Sequence, residues 1–116
     1  MEIAVGMTPI EADNIQWRGS IAKSLSGTTG WASSSSLNVP GNISGNNSSG
    51  FSALPAGNIL SNEASGFGRY AYFWCATEYE GNSNFVYYRG IAYSDASVLR
   101  NYDFKSRLIS VRCVRD

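Results

Sequence analysis

The second half of the chain is organised as dense apolar and aromatic runs separated by short polar breaks, the pattern of strands rather than helices. Tyr70-Ala-Tyr-Phe-Trp-Cys-Ala-Thr77 carries aromatics too densely for a solvent-facing edge and predicts a central strand. Asn84-Phe-Val-Tyr-Tyr-Arg89 predicts a second strand, joined to the first by the turn Glu80-Gly81-Asn82-Ser83. Leu108-Ile-Ser-Val-Arg-Cys-Val114 predicts a third, with Ile109, Val111 and Cys113 on one face and Leu108, Ser110, Arg112 and Val114 on the other. Upstream, Phe51-Ser-Ala-Leu-Pro-Ala-Gly57 reads as a short buried strand closed by a Pro/Gly turn, and Asn58 to Gly68 as loop. Helical signal is confined to the start of the chain. Thr8 at a cap position, Pro9 after it and Glu11 three residues on predict a helix from Pro9 to about Trp17, with Ile10 and Trp17 facing inward. Ile21 and Leu25 flank Lys23 in a segment too short to classify.

Between Ser26 and Gly50 the chain is mostly Ser, Gly, Asn and Thr, which predicts a long loop; Trp31, costly to leave exposed, pins it to the core. With 116 residues, 43% of them hydrophobic and 13% aromatic, there is enough buriable surface for one small core. The formal net charge of +0 gives no field to attract nucleic acid or an anionic membrane. No apolar run is long enough to span a bilayer, and no signal peptide opens the chain. Cys75 and Cys113 are too few for a disulfide scaffold. They read as two small buried hydrophobes, or as a bonded pair if their strands are neighbours.

The absence of histidine removes the commonest general base, the commonest metal ligand and every Ser-His or Cys-His nucleophile pair. Glu78 and Glu80 lack the partners that a glycosidase or a calcium site needs and read as solvated surface. No phosphate loop, dinucleotide fingerprint or zinc spacing occurs. The expectation is a non-enzymatic protein without metal or cofactor. What remains is Phe85 to Arg107, where aromatic and arginine side chains interleave with Ser, Asn, Asp and Gly, the mixture recognition surfaces use. Tyr87 and Val98 are assigned to the core. Leu99 to Phe104 has no clean period of two and is read as an exposed loop. The candidate ligand-binding residues are Tyr88, Arg89, Tyr93, Ser94, Asp95, Ser97, Leu99, Asn101, Tyr102, Asp103, Phe104 and Arg107. Their ligand is expected to be a protein or a glycan.

Four segments together resemble a known family: Gly50-Phe-Ser-Ala-Leu-Pro-Ala-Gly57, Tyr72-Phe-Trp-Cys-Ala-Thr-Glu78, Tyr87-Tyr-Arg89 and Ser110-Val-Arg-Cys-Val-Arg-Asp116. In content, order and spacing they are similar to the Fibrobacter succinogenes major paralogous domain, found in secreted and surface proteins of Bacteroidetes and their phages. The resemblance implies an α+β, C-type-lectin-like fold of small antiparallel sheets, one or two short helices and long ordered loops. It implies a location outside the cell, on its surface or on a virion. The family's usual opening, a Gly-Trp-x-x-Pro-Thr segment and a helix containing Glu-Trp, does not precede Met1. Residues 1–116 are therefore expected to form one N-terminally truncated domain, the C-terminal part of a larger one, with an exposed edge that offers a route to a homo-oligomer. Trp74-Cys75-Ala76 stands where a calcium-binding lectin has Trp-Asn-Asp, so the fold is expected without the metal.

Related proteins include the variable products of diversity-generating retroelements. Their adenine mutagenesis turns asparagine codons with a fixed pyrimidine at the third base into many residues but never Lys, Glu, Gln, Met or Trp. Gly81 to Phe104 contains none of those five. The expectation is a surface diversified for ligand selection, with a structural or adhesive domain that self-assembles through the aromatic stretch as the alternative.

Overall fold

The structure is a computed structural model and describes residues 1–113. It is α+β: short helices precede a four-stranded antiparallel sheet and a small separate hairpin. The helices are α1 (Pro9–Asp13) and α2 (Ala22–Leu25), and a single 3-10 turn, Ile3–Val5, comes before them. The strands are β1 (Gln16–Arg18), β2 (Asn58–Leu60), β3 (Glu63–Ser65), β4 (Tyr70–Glu78), β5 (Phe85–Ala92) and β6 (Val98–Phe104). The main sheet has the order β1-β6-β5-β4, and β2 pairs with β3.

The start of α1 is as its sequence predicts. The Thr8 hydroxyl accepts from the Glu11 amide at 3.3 Å while the Glu11 carboxylate accepts from the Thr8 amide at 2.9 Å, and Pro9 supplies the preset φ of the first turn. The end is not where predicted. Asn14 turns extended (φ −68°, ψ 151°) and Gln16–Arg18 becomes β1, pairing with β6 so that Trp17 lies opposite Leu99. The inward assignment of Ile10 and Trp17 is thereby corrected, because Ile10 is 80% exposed and Trp17 40%. Pairing with a neighbouring strand outweighed the weak helical preference of so short a run.

The core gathers Met7, Ile21, Ala22, Leu25, Trp31, Ala53, Ala71, Ile91 and Val98. Trp31 is buried, as its role in pinning the Ser/Asn-rich segment requires. That segment is ordered by side chains as well as by Trp31. Lys23 donates to the Asn42 carbonyl and the Asn46 side chain, and Asn46 donates in turn to the carbonyls of Gly27 (2.9 Å) and Pro40 (3.0 Å). Gly41 sits where chains cross: a Cβ there would lie 2.5 Å from the Ala32 oxygen and 2.8 Å from the Tyr93 oxygen.

Four further expectations need correction. Tyr70–Glu78 is the last strand in the sheet order, not a central one; its outer side is only partly covered, by single bridges from Gly57 and Ser110. Phe51–Gly57 touches neighbours through isolated bridges at Ala53 and Gly57 and is not a strand. Asn58–Gly68 contains the β2–β3 hairpin, whose two-residue turn Ser61-Asn62 has both φ values positive (51° and 66°), as a type I′ turn demands. The third predicted strand survives only as bridges at Leu108 and Ser110, and its Val114 lies outside the described residues.

Candidate functional site

Residues opposite one another in an antiparallel register share a face, so β5 and β6 sort the candidate side chains directly. Phe85, Tyr87, Arg89 and Ile91 lie across from Phe104, Tyr102, Arg100 and Val98, and this face carries the core at its Ile91–Val98 end. Val86, Tyr88 and Gly90 lie across from Asp103, Asn101 and Leu99 and form the other face.

On the first face, beyond the core, an aromatic cluster closes the end of the sheet. The Tyr79 and Tyr102 rings stack at 3.8 Å with 13° between their planes, Phe85 and Phe104 meet at 4.3 Å, and the Arg100 guanidinium lies 4.4 Å above the Tyr87 ring. The Tyr87 hydroxyl donates to Glu80 at 2.9 Å. That bond raises the Tyr87 pKa, since ionisation would face a carboxylate. Glu80 moves the other way: a hydrogen bond from its own backbone amide, then the Tyr87 bond, hold its carboxyl below the ordinary value. Phe104 is 54% exposed.

On the second face, Arg107 lies 4.9 Å from the Tyr72 ring centroid and 5.0 Å from that of Tyr88, and its Nη1 donates to Asp103 at 2.8 Å. Tyr72 sits over Gly90, where a Cβ would approach its ring to 3.0 Å. Burial, more than any neighbour, raises the Tyr72 pKa.

The two faces meet at the open end of β6. There a groove of about 340 Å³ is lined by Ile59, Leu60, Ser61, Asn62, Asp103, Phe104, Ser106, Arg107 and Leu108. The β2–β3 hairpin forms its far wall because Ile59 and Leu108 exchange backbone hydrogen bonds at 2.9 and 3.4 Å. Of the twelve candidate residues, Asp103, Phe104 and Arg107 line this groove, and Tyr102 adjoins it through Phe85, the ring that both Tyr102 and Phe104 touch.

The others lie elsewhere. Tyr88 and Leu99 are buried, which corrects their assignment to an exposed surface, and Leu99–Phe104 is strand, not loop. Arg89 faces the core side, bonded to Glu2 at 3.0 Å. Tyr93, Ser94, Asp95 and Ser97 occupy the β5–β6 turn, about 20 Å from Phe104 along a strand of this length. There Asp95 caps its own turn by accepting from the Ser97 amide at 2.8 Å, and the Tyr93 carbonyl accepts from Gly41. Asn101 accepts from the next backbone amide. The groove residues Ile59, Leu60, Ser61, Asn62, Ser106 and Leu108 were absent from the sequence-derived set; the one available signal was Asn62, a residue that tolerates the left-handed turn conformation.

Cys75 is only partly buried and Cys113 is exposed, so neither is the small core hydrophobe that one reading made of them. Burial pushes the Cys75 thiol up. Among the described residues no group of three or more His, Cys, Asp or Glu side chains is placed to hold a metal, and no helix is long and apolar enough to cross a membrane.

A sheet with short helices, long ordered loops and an exposed aromatic end beside a polar groove defines an α+β domain. The chain belongs to the Fibrobacter succinogenes major domain family, whose model matches residues 1–115. No curated protein and no solved structure matches the chain.

Proposed function

We propose that this domain is a non-enzymatic ligand-binding module on a C-type-lectin-like scaffold, displayed outside the cell or on a virion, and that it takes a glycan or a protein surface at the open end of β6. The observation that carries this reading is the composition of one groove. An exposed Phe104 ring, a paired carboxylate and guanidinium (Asp103, Arg107), two hydroxyls (Ser61, Ser106) and an amide (Asn62) surround about 340 Å³. An aromatic face with convergent hydrogen-bonding groups suits a ligand with both apolar and hydroxyl surfaces, and the stacked Tyr79–Tyr102 pair holds the neighbouring wall rigid. The site is narrower than the sequence implied: Tyr102, Asp103, Phe104 and Arg107 act in recognition, and the 93–97 turn serves the scaffold. The test is a screen against arrayed bacterial and host glycans and a panel of cell-surface proteins. Wild type is expected to give discrete hits that the double variant Tyr102→Ala/Phe104→Ala loses, and hits retained by that variant refute the assignment of the face.

Diversification of this surface is supported by the absence of Lys, Glu, Gln, Met and Trp from Gly81 to Phe104. The gene provides the check. Fixed third-position pyrimidines at these codons, with a near-repeat and a reverse transcriptase close by, are expected; mixed third bases overturn the idea.

A self-assembling surface domain is the second reading, favoured by Leu60 and Leu108, 58% and 59% exposed beside Phe104. Mass that rises with concentration, and falls back to monomer in Phe104→Ala, would support it.

A further inference from the structure

We propose that a cavity on the core face of β4 and β5, separate from the β6 groove, is a second binding site that takes a small amphipathic carboxylate, a ligand with one apolar chain and one anionic head such as a medium-chain fatty acid. The cavity has a volume of about 610 Å³. Small-molecule sites span about 300–1,000 Å³.

The sheet register builds its floor. Phe73 lies across from Arg89 and Ala71 from Ile91, so Phe73, Arg89 and Ile91 share one face, and all three line the cavity. The buried Leu25 and Val98 close its inner end. At the mouth stand the exposed Val111 and Arg112. The Arg112 guanidinium lies 4.7 Å over the Phe51 ring, and Phe51 packs edge-on against Phe73 at 5.5 Å, so a positive charge is held beside an apolar opening.

The charged groups are short of negative charge. Among the described residues, the charged side chains lining the cavity are Glu2, Arg89 and Arg112. Glu2 is already engaged twice, accepting on Oε1 from Arg18 at 2.7 Å and from Arg89 Nε at 3.0 Å, so three guanidiniums share one carboxylate. Arg89 Nη1 points instead at the Cys75 sulfur, 3.5 Å away. Sulfur is a weak acceptor, and burial keeps this thiol protonated at neutral pH, so a charged donor spends its hydrogen bond on a poor partner. The Arg89 side chain keeps 27% of its surface accessible, enough for a head group to reach it. A carboxylate displacing the thiol contact gains a charge-assisted bond in a partly desolvated place, while its chain covers Phe73, Ile91 and Val111. A neutral alcohol of the same length gains only the apolar contact and a weaker bond, and an ammonium meets the excess of arginine charge.

The experiment titrates octanoate, octanol and octyltrimethylammonium, probes of equal chain length and different charge, into the Cys113→Ser protein by calorimetry below their micelle concentrations. Alkylation of Cys75, the thiol that remains and a residue of the cavity wall, maps the site. Octanoate is expected to bind saturably, about tenfold or more tighter than octanol, with no saturable binding of the ammonium. Saturating octanoate is expected to suppress Cys75 alkylation by iodoacetamide. Arg89→Gln is expected to abolish the preference for octanoate over octanol and leave octanol binding unchanged, and Arg112→Gln, at an exposed position, to weaken octanoate by about two- to threefold. Arg89 also holds Glu2, so if Arg89→Gln does not fold, the three probes on the Cys113→Ser protein decide alone. Failure of octanoate to bind, equal affinity for the three head groups, tightest binding of the ammonium, or octanoate binding that leaves Cys75 alkylation unchanged would overturn the proposal.

Discussion

The Arg107 guanidinium lies within 5.0 Å of the Tyr72 and Tyr88 ring centroids and bonds to Asp103 at 2.8 Å, so one side chain ties the end of β6 to β4 and β5. Its charge is partly desolvated, and a planar guanidinium is a better partner for an aromatic ring than an ammonium, which makes the contact dependent on shape as well as charge. Arg107→Ala is expected to lower stability by about 1–2 kcal/mol in urea unfolding, and Arg107→Lys to recover only part of that loss. Glu2 does comparable work at the other end. Its carboxylate accepts from Arg18 at 2.7 Å and Arg89 at 3.0 Å, and Arg18 is almost wholly buried. Burial alone would raise the Glu2 pKa; the hydrogen bonds and charges of the two arginines outweigh it and hold the carboxyl below its ordinary value. A carboxyl depressed in the folded state adds stability above its unfolded pKa and loses it as the pH falls through the folded one. Melting temperature should therefore decline below about pH 4, and Glu2→Gln should be less stable at neutral pH and show a flatter decline.

Among the elements, Gly41 offers the sharpest packing test. A methyl group there would press on two carbonyl oxygens, so Gly41→Ala is expected to cost about 2 kcal/mol by overpacking, read as a lower urea midpoint with an unchanged slope. The strands β4 and β5 were legible because their aromatic runs exceed what a loop can expose. β6 was not, for a physical reason: Val98 and Leu99 are buried in succession on opposite faces, and both faces beyond them carry aromatic or arginine clusters, so no polar face marks the period of two. The helix from Pro9 was read at its start, where capping is local, and overrun at its end, where Trp17 answers to Leu99 far along the chain. Since β6 was read as loop, its alternation could not be used to divide Tyr102 and Phe104 from Leu99, Asn101 and Asp103. The β2–β3 hairpin hid in a Ser/Asn-rich stretch whose pairing is fixed by a two-residue turn rather than by apolar periodicity.

For the whole molecule, the two β5–β6 ends of the main sheet differ in make-up. The 93–97 turn anchors the long polar segment through Gly41 and Tyr93, and the opposite end carries the aromatic stack and the groove beneath the hairpin. The family match covers residues 1–115, so both ends lie within it. The recognition proposed for the groove end predicts that substitutions there change binding and substitutions at the far turn do not. The most direct measurement is the affinity of wild type, Phe104→Ala and Ser94→Ala for a glycan or surface protein retained in the array screen. A loss of about tenfold or more for Phe104→Ala, with Ser94→Ala unchanged, is expected from truncating an exposed aromatic anchor; equal affinities for Phe104→Ala and wild type, or a loss confined to Ser94→Ala, would contradict it.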